Sequence, residues 1–214
     1  LHWPSRNAPI FGQKEFNPDL EHDNIAIEAT LDVLHDLVKE GKIRHIGVSN
    51  ETPWGVSEFI KHAERKQQTR IISIQNPYHL MNRSYEQGLT ETCYREQVGL
   101  LAYSPLAFGR LTGKYVDNAQ AKGRLTKFPA TWSPRYMRPE VITTSARYTA
   151  LARAHGLTPT QLALAWCYSR WFVASTIIGA TDLMQLEENI RAPDILLSDE
   201  LVTAINQIPA DGAN

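Results

Sequence analysis

Short apolar segments, each followed by sequence with helical periodicity, are the feature that most constrains the fold of this chain. The segments 45–49, 71–75, 99–103 and 173–178 are typical of strands that are buried on both faces. A strand followed by a helix, repeated at about 25 to 35 residues, requires crossover connections between parallel strands. The sequence therefore predicts an α/β fold.

Capping residues and apolar spacing predict where the helices lie. Between Asn24 and Lys42, apolar residues recur at three- and four-residue steps and give one buried stripe, formed by Ile27, Leu31, Leu34 and Val38. Gly41 is a C-terminal stop for that helix. Three more helix starts are predicted at Thr52-Pro53, at Ser84 with Gln87, and at Thr158-Pro159 with Gln161.

A stretch of about forty residues joins the strand that ends near Tyr103 to a helix expected near Thr143, which is much longer than the usual connection. Within residues 107–140, seven side chains are basic: Arg110, Lys114, Lys122, Arg124, Lys127, Arg135 and Arg138. We expect a lid at about 107–142 that contacts an anionic ligand. An ordinary solvated loop is the alternative.

Composition narrows the classes of partner. The 214 residues have a formal net charge of −1 with dispersed basic residues, so the positive field that attracts nucleic acid or an anionic membrane is missing. Cys93 and Cys167 are the only cysteines, and no apolar run approaches the ~18 residues of a membrane span. We expect buried thiols, a cytoplasmic location, a small-molecule partner and a single domain over residues 1–214.

Ligands of parallel α/β folds bind beyond the carboxyl ends of the strands. Those ends are polar here and read His2, Ser49-Asn50, Gln75-Asn76, Tyr103-Ser104 and Gly179-Ala180-Thr181. Amide and hydroxyl groups beside an aromatic side chain suit a flat ring that carries a carboxamide. The first of these ends, Leu1 to Pro4, is read as a strand entering a loop because proline cannot donate to a sheet ladder. His2 alone is more typical of a hydrogen-bonded core residue than of a catalyst.

The segment from Gly179 to Asp182 precedes a helix, whose first N–H groups predict an anion site. On that helix Gln185, Glu188 and Asn189 share one face and could close around a nucleotide. A solvated helix surface is the alternative. No metal site is predicted, because His, Cys and carboxylate residues do not occur at ligand spacing.

Taken in order, these segments resemble the C-terminal part of the aldo-keto reductase family, whose fold is an eight-unit TIM barrel of which this chain would supply five β/α units. The resemblance implies that His2 orients a substrate carbonyl. It also implies that Ser49, Asn50 and Gln75 hold the nicotinamide carboxamide of a dinucleotide and that Tyr103 stacks under its ring.

The rest of the implied cofactor site resembles the branch that includes potassium-channel beta subunits. Its pyrophosphate loop matches Ser104, Leu106, Gly109, Lys114 and Arg124, and its adenosine-phosphate site matches Gly179, Thr181, Gln185, Glu188 and Asn189. These matches imply NADPH as cofactor. Another branch has Lys and Arg at the positions of Gly179 and Gln185, so the choice between NADPH and NADH stays open.

The resemblance also implies a departure, since the family's acid tyrosine, lysine and aspartate come from units that this sequence does not match. We therefore expect a truncated NADPH-dependent carbonyl reductase that is inactive alone, or one whose barrel is completed by another copy or an N-terminal fragment. A non-catalytic NADP(H)-binding regulatory protein and an unrelated phosphate-binding barrel fragment are the alternatives.

Overall fold

The structure, a computed structural model, describes residues 1–9, 13, 15–128, 131 and 133–210. The chain divides into two compact units. The first consists of Leu1–Asn76 and Tyr85–Leu101, and the second of Pro77–Ser84 and Ala102–Asn214. The expectation of a single domain over residues 1–214 stays a prediction.

The first unit contains alternating helices and strands. In chain order these are α1 (Ile27–Lys39), β1 (Ile46–Ser49), α2 (Pro53–Lys66), β2 (Ile71–Pro77), α3 (Leu89–Arg95) and β3 (Gly99–Tyr103), with a short 3-10 helix at Pro18–Leu20. The last residues of β2 and β3 belong to the second unit. Strands β1 and β2 are parallel, with Val48 opposite Ile74 and Ser49 opposite Gln75.

Apolar residues at helical and strand spacing build the core of this unit. In α1, Leu31 is completely buried, while Ile27, Leu34 and Val38 are half-buried, as the predicted stripe requires. The helix ends at Lys39, and Gly41 adopts a φ of +70°, which fits its predicted role as a stop. Helix α2 begins after Thr52, whose hydroxyl accepts the Gly55 N–H, so this predicted start is confirmed.

The second unit contains the helices that follow β3. They are α4 (Lys114–Asp117), α5 (Arg124–Lys127), α6 (Pro139–Ala154), α7 (Pro159–Tyr168), α8 (Leu183–Arg191) and α9 (Asp199–Asn206), with β4 (Val173–Thr176) between α7 and α8. Short 3-10 helices lie at Ala107–Thr112, Pro134–Met137 and Ala192–Asp194. In the core, the rings of Tyr78 and Trp166 stack at 5.1 Å, and both residues are fully buried.

The described strands form one sheet in the order β1-β2-β3-β4, which confirms the α/β class and is consistent with the expected barrel. The expectation of five strands was wrong for the described residues. Leu1 to Pro4 form no strand, although the Leu1 amino group donates to the Gly47 carbonyl at 2.8 Å. Pro4 offers no N–H with which such pairing could continue.

Two of the remaining local predictions need correction. Ser84 does not start an α-helix, because its hydroxyl donates to Asn82 Oδ1 and residues 84–86 form a 3-10 turn. The connection after β3 is not irregular, since it contains short helices, and α6 begins at Pro139 rather than near Thr143. Cys93 and Cys167 are buried and unpaired, as predicted. Among the described residues, no helix combines the length and the apolarity that crossing a bilayer requires.

Candidate functional site

The first unit brings four predicted site residues together where β1 and β2 end. Ser49 is buried, and its hydroxyl donates to the Gln75 carbonyl at 2.6 Å. The Asn50 side-chain amide donates to Ser49 Oγ and to the His2 carbonyl, both at 3.0 Å. Residues 2, 49, 50 and 75 therefore form one hydrogen-bonded group, which we call the strand-end cluster.

Backbone strain marks the strand-end cluster. Asn50 has a φ of +58°, in the left-handed region that residues other than glycine rarely occupy. Its N–H donates to the Gln75 carbonyl at 3.1 Å, which helps to fix this conformation. Such strain costs of order 1–3 kcal/mol and persists where the surroundings enforce it, commonly at ligand sites.

An ion pair that sequence reasoning missed lies beside the cluster. Arg6 and Glu51 are joined by two hydrogen bonds, of 2.9 and 2.7 Å. Glu51 directly follows Asn50, and its side chain is 4% exposed. The only signal in the sequence was an acidic residue after the Ser-Asn pair, and nothing in the pattern indicated Arg6 as its partner.

A cavity of about 220 Å³ also borders the ion pair. Its wall includes the N-terminal segment, residues of α1, and Val48, Ser49, Glu51 and Phe59. Of the strand-end cluster, only Ser49 lines it. Since small-molecule pockets typically measure ~300–1,000 Å³, this cavity is too small for a dinucleotide.

In the second unit, Tyr103 ends β3 and is half-buried. Burial raises the pKa of Tyr103, and the charge and hydrogen bond of Arg135 act in the opposite direction. Ser104 follows with a φ of +57°, so the end of β3 is strained in the same way as the end of β1. The structure therefore places an aromatic ring and a strained turn at this strand end.

The segment after β3 is a series of tight turns with several residues at positive φ. The Leu106 carbonyl accepts the N–H groups of Gly109 at 2.8 Å and Leu111 at 3.2 Å. Phe108 and Gly109 have φ values of +57° and +93°. The loop backbone thus folds back on itself between Ser104 and Gly113.

Lys114 packs closely against two glycines of this segment. A Cβ added at Gly123 would lie 2.6 Å from Lys114 Nζ, and one added at Gly109 would lie 3.2 Å from Lys114 Cε. The absence of side chains at both positions therefore makes room for the lysine. The guanidinium of Arg124, next to Gly123, lies 4.2 Å from the centroid of the Phe108 ring. Residues 109, 114 and 124 thus lie near one another, and their role in binding phosphate stays a prediction.

Arg110, one of the basic residues of the predicted lid, makes an internal contact. Arg110 is buried, and its Nε donates to the Tyr136 carbonyl at 2.8 Å. The prediction that Arg110 contributes to an anion-binding surface was wrong, because its guanidinium holds two parts of the segment together.

The residues predicted at the start of α8 are paired with one another. The Asp182 carboxylate accepts the Gln185 N–H at 2.9 Å, and Gln185 Oε1 accepts the Thr181 N–H at 3.0 Å. Asn189 is buried and donates to the Gly179 carbonyl at 3.2 Å, whereas Glu188 pairs with Thr158. One N–H of the expected anion site is therefore already occupied by an internal carboxylate.

A buried histidine was also missed by sequence reasoning. His79 is fully buried, its Nδ1 accepts the Met81 N–H at 3.2 Å, and its Nε2 lies 3.4 Å from the Tyr136 hydroxyl. Burial lowers the pKa of His79 to about 3, so the ring is neutral at physiological pH.

As for metals, the described residues contain no group of three or more His, Cys, Asp or Glu side chains that could hold an ion.

Helices follow successive strands, and β1 and β2 are parallel, so this chain is an α/β protein. Proteins of this class commonly bind their ligands beyond the carboxyl ends of the strands. The model of the Aldo/keto reductase family matches residues 1–210. The chain therefore belongs to the aldo/keto reductase family of oxidoreductases. The interpretation as an unrelated phosphate-binding barrel fragment was wrong.

Individual relatives agree with this assignment. Protein tas of Escherichia coli K12 is 41% identical over 97% of this chain, and the aldo-keto reductase of Babesia bovis is 38% identical, also over 97%. L-glyceraldehyde 3-phosphate reductase of Escherichia coli K12 is 29% identical over 89% of this chain.

The matched lengths differ among these relatives. The alignments cover 60% of Protein tas, 78% of the Babesia bovis protein and 56% of L-glyceraldehyde 3-phosphate reductase. The chain therefore spans less than two thirds of the length of Protein tas and of L-glyceraldehyde 3-phosphate reductase, and the expectation of a truncated chain stays a prediction.

Proposed function

We propose that this chain binds NADPH and takes part in the reduction of an aldehyde or ketone. The observation that carries the proposal is the strand-end cluster, in which hydroxyl, amide and carbonyl groups from three segments converge. When bound, the nicotinamide would supply the hydride. Ser49, Asn50 and Gln75 would hold its carboxamide, and Tyr103 would lie against its ring.

The phosphates would be held by the segment after β3. Lys114 and Arg124 are the cations that we assign to them, with Ser104, Leu106 and Gly109 supplying the turn. The close approach of Lys114 to Gly123 supports this, because a side chain at Gly123 would displace the ammonium group. Gly179, Thr181, Gln185, Glu188 and Asn189 would contact the adenosine end.

The preference for NADPH over NADH is part of the proposal and needs its own test. One relative, 31% identical over 85% of this chain, is named NADH-specific methylglyoxal reductase of Escherichia coli K12. Binding of both dinucleotides should therefore be compared. We expect NADPH to bind more tightly, because Thr181 and Gln185, which we assign to the adenosine end, could donate hydrogen bonds to the 2′-phosphate that NADH lacks.

The chemical step is proposed to use His2, whose backbone is held by Asn50 and whose side chain is exposed. We infer that His2 orients the substrate carbonyl, and that the 214 residues alone reduce aldehydes negligibly. A general acid that protonates the carbonyl oxygen contributes about 10²–10⁴-fold in rate, and we assign that role to no residue of this sequence. Binding that leads to no turnover even after a fragment with the family's first three β/α units is added would favour the alternative, a regulatory protein that senses NADP(H). A cytoplasmic location stays a prediction.

The test is a titration of the purified chain with NADPH, followed by the fluorescence of the dinucleotide. We expect Lys114→Met to weaken binding about tenfold, the loss of one charge-assisted contact, and Ser49→Ala to weaken it as well. Lys39→Met, at an exposed position of α1, and Ser57→Ala, at a half-buried position of α2, are matched controls outside the proposed site. An absence of NADPH binding by the wild-type chain would overturn the proposed function.

A further inference from the structure

The Arg6–Glu51 ion pair is more deeply buried than the other ion pairs among the described residues of the first unit. Its two side chains are 13% and 4% exposed, and Arg6 Nη1 donates to Glu51 Oε1 while Nη2 donates to Oε2. Arg6 Nη2 also donates to Thr52 Oγ1 at 3.1 Å, and the guanidinium lies 4.9 Å from the centroid of the Trp54 ring. Desolvation offsets much of the attraction in such a pair, so its presence is weak evidence for a role in stability alone.

The pair joins two of the three segments that form the strand-end cluster. Glu51 is bonded to the residue after it, since its Oε2 accepts the Thr52 N–H at 3.1 Å, and its carbonyl accepts the Asn76 side-chain amide at 3.2 Å. Arg6 lies four residues after His2, whose carbonyl accepts the Asn50 amide. The chain from His2 to Arg6, the ion pair, and the Asn50–His2 hydrogen bond therefore make a closed ring.

The start of α2 leaves room for this arrangement. A Cβ added at Gly55 would contact the Glu51 carboxylate and would lie 2.5 Å from Arg6 Nη2. Glycine is the residue that permits the ion pair to sit against the first turn of the helix.

We infer that Arg6 and Glu51 are positioning residues for the nicotinamide end of the cofactor. The pair holds Asn50 in its left-handed conformation and keeps the segment that carries His2 against it. This inference rests on the proposed function, because the groups that it positions are those assigned to the carboxamide and to the substrate carbonyl.

The experiment compares two ligands on the full 214-residue chain. NADPH carries the nicotinamide, whereas adenosine 2′,5′-bisphosphate lacks it and probes the adenosine end alone. We expect Arg6→Met and Glu51→Gln to weaken NADPH binding about ten- to hundredfold, since a small misplacement of positioning groups has effects of that size. Binding of the bisphosphate, measured by calorimetry, should be unchanged.

The control is Arg70→Met, which removes a second arginine of the first unit. Arg70 is paired with Glu64 and with the Glu96 carbonyl, away from the strand-end cluster. We expect this variant to leave the affinity for both ligands unchanged. Arg6→Lys, which keeps the charge but not the two-pronged contact, should recover part of the NADPH affinity.

Several outcomes would overturn the inference. Unchanged NADPH binding in Arg6→Met and Glu51→Gln would do so while leaving the proposed function intact. Equal weakening of both ligands, or failure of both variants to fold while Arg70→Met folds, would mean that the pair serves the fold rather than the nicotinamide end. A wild-type chain that binds neither ligand would overturn the proposed function and this inference with it.

Discussion

His79 is a single buried side chain that can make the stability of the fold depend on pH. Because Nδ1 accepts the Met81 N–H, the ring proton lies on Nε2, which can donate to the Tyr136 hydroxyl. The ring of Phe108, in the segment that we assign to the phosphates, stacks on the ring of Tyr136 with 4.7 Å between the centroids. His79 therefore contacts that segment indirectly, through Tyr136. Protonation would place a positive charge in this buried site, where the charge of Arg135 already opposes it.

We predict that His79 makes the protein less stable as the pH falls from 7 to 5. The pKa of His79 is lowered to about 3 in the folded chain, whereas a histidine in the unfolded chain has a pKa near ~6.5. The unfolded state therefore takes up a proton in this range and the folded state does not, which lowers the free energy of unfolding by about 2 kcal/mol between pH 7 and pH 5.

Urea unfolding at pH 5, 6 and 7 checks this prediction. His79→Asn keeps an acceptor for the Met81 N–H but does not titrate, so its pH dependence should be weaker by that amount even if the variant is less stable throughout. His155→Asn, at the exposed end of α6, is the matched control and should keep the wild-type dependence. Equal slopes for wild type and His79→Asn would contradict the prediction.

Among single residues, the sequence predicted the site residues that lie at the ends of strands. It missed the side chains whose partners are far away in the sequence. Ser49 and Gln75 could be grouped because the ends of parallel strands meet at one edge. Arg6 and Glu51 are separated by 45 positions and His79 and Tyr136 by 57, and no periodicity relates the members of either pair. Such pairs become visible only when the chain is folded.

Among the elements, helix α7 has the most complete set of start signals. Thr158 Oγ1 accepts the Gln161 N–H at 3.1 Å, and Gln161 Oε1 accepts the Thr158 N–H at 2.9 Å, with Pro159 at the first helical position. All three features were predicted from the sequence. The helix is almost entirely buried along its length, so the fixed start also fixes the register of its core residues.

We predict that Thr158→Ala lowers the free energy of unfolding by about 1 kcal/mol, because the start of α7 loses its cap. Thr143→Ala is the control, since Thr143 is exposed inside α6 and alanine favours a helix interior. Chemical unfolding at neutral pH measures both. A loss for Thr143→Ala as large as that for Thr158→Ala would argue that the cap has no special weight.

The connection between β3 and α6 was predicted only as a long basic lid. Its helices α4 and α5 have four residues each, too few for a periodic pattern to be recognised. They are supported by contacts between cations and aromatic rings, such as Lys114 with Tyr115 and Arg124 with Phe108. Charge alone could not distinguish the buried Arg110 from its exposed neighbours.

For the molecule as a whole, the order of the sheet leaves β1 and β4 at its edges among the described strands. In β4, Ala174 and Ser175 are exposed. The sequence predicted the class of the sheet, but it placed a strand at Leu1 to Pro4 that the structure does not contain. Strand patterns three or four residues long are not specific enough to decide such a case.

We predict that the chain associates through the edge of β4 as its concentration rises, because an open strand edge offers unpaired N–H and C=O groups. Ser175→Lys should reduce this association, since a charge on an edge strand opposes pairing. Thr143→Lys, on the exposed face of α6, should not. Native mass measured over a range of concentrations is the test, and a wild-type chain that stays at 24.2 kDa throughout would contradict the prediction.

The internal pairing at the start of α8 has a consequence for any anion that binds there. Thr181, Asp182 and Gln185 satisfy one another before a ligand arrives. These residues can bind an incoming phosphate only by breaking hydrogen bonds that they make with one another. The free energy of binding is therefore the difference between two similar sets of hydrogen bonds. Such an exchange favours moderate affinity and ready release, as the proposed replacement of the oxidised by the reduced dinucleotide would require.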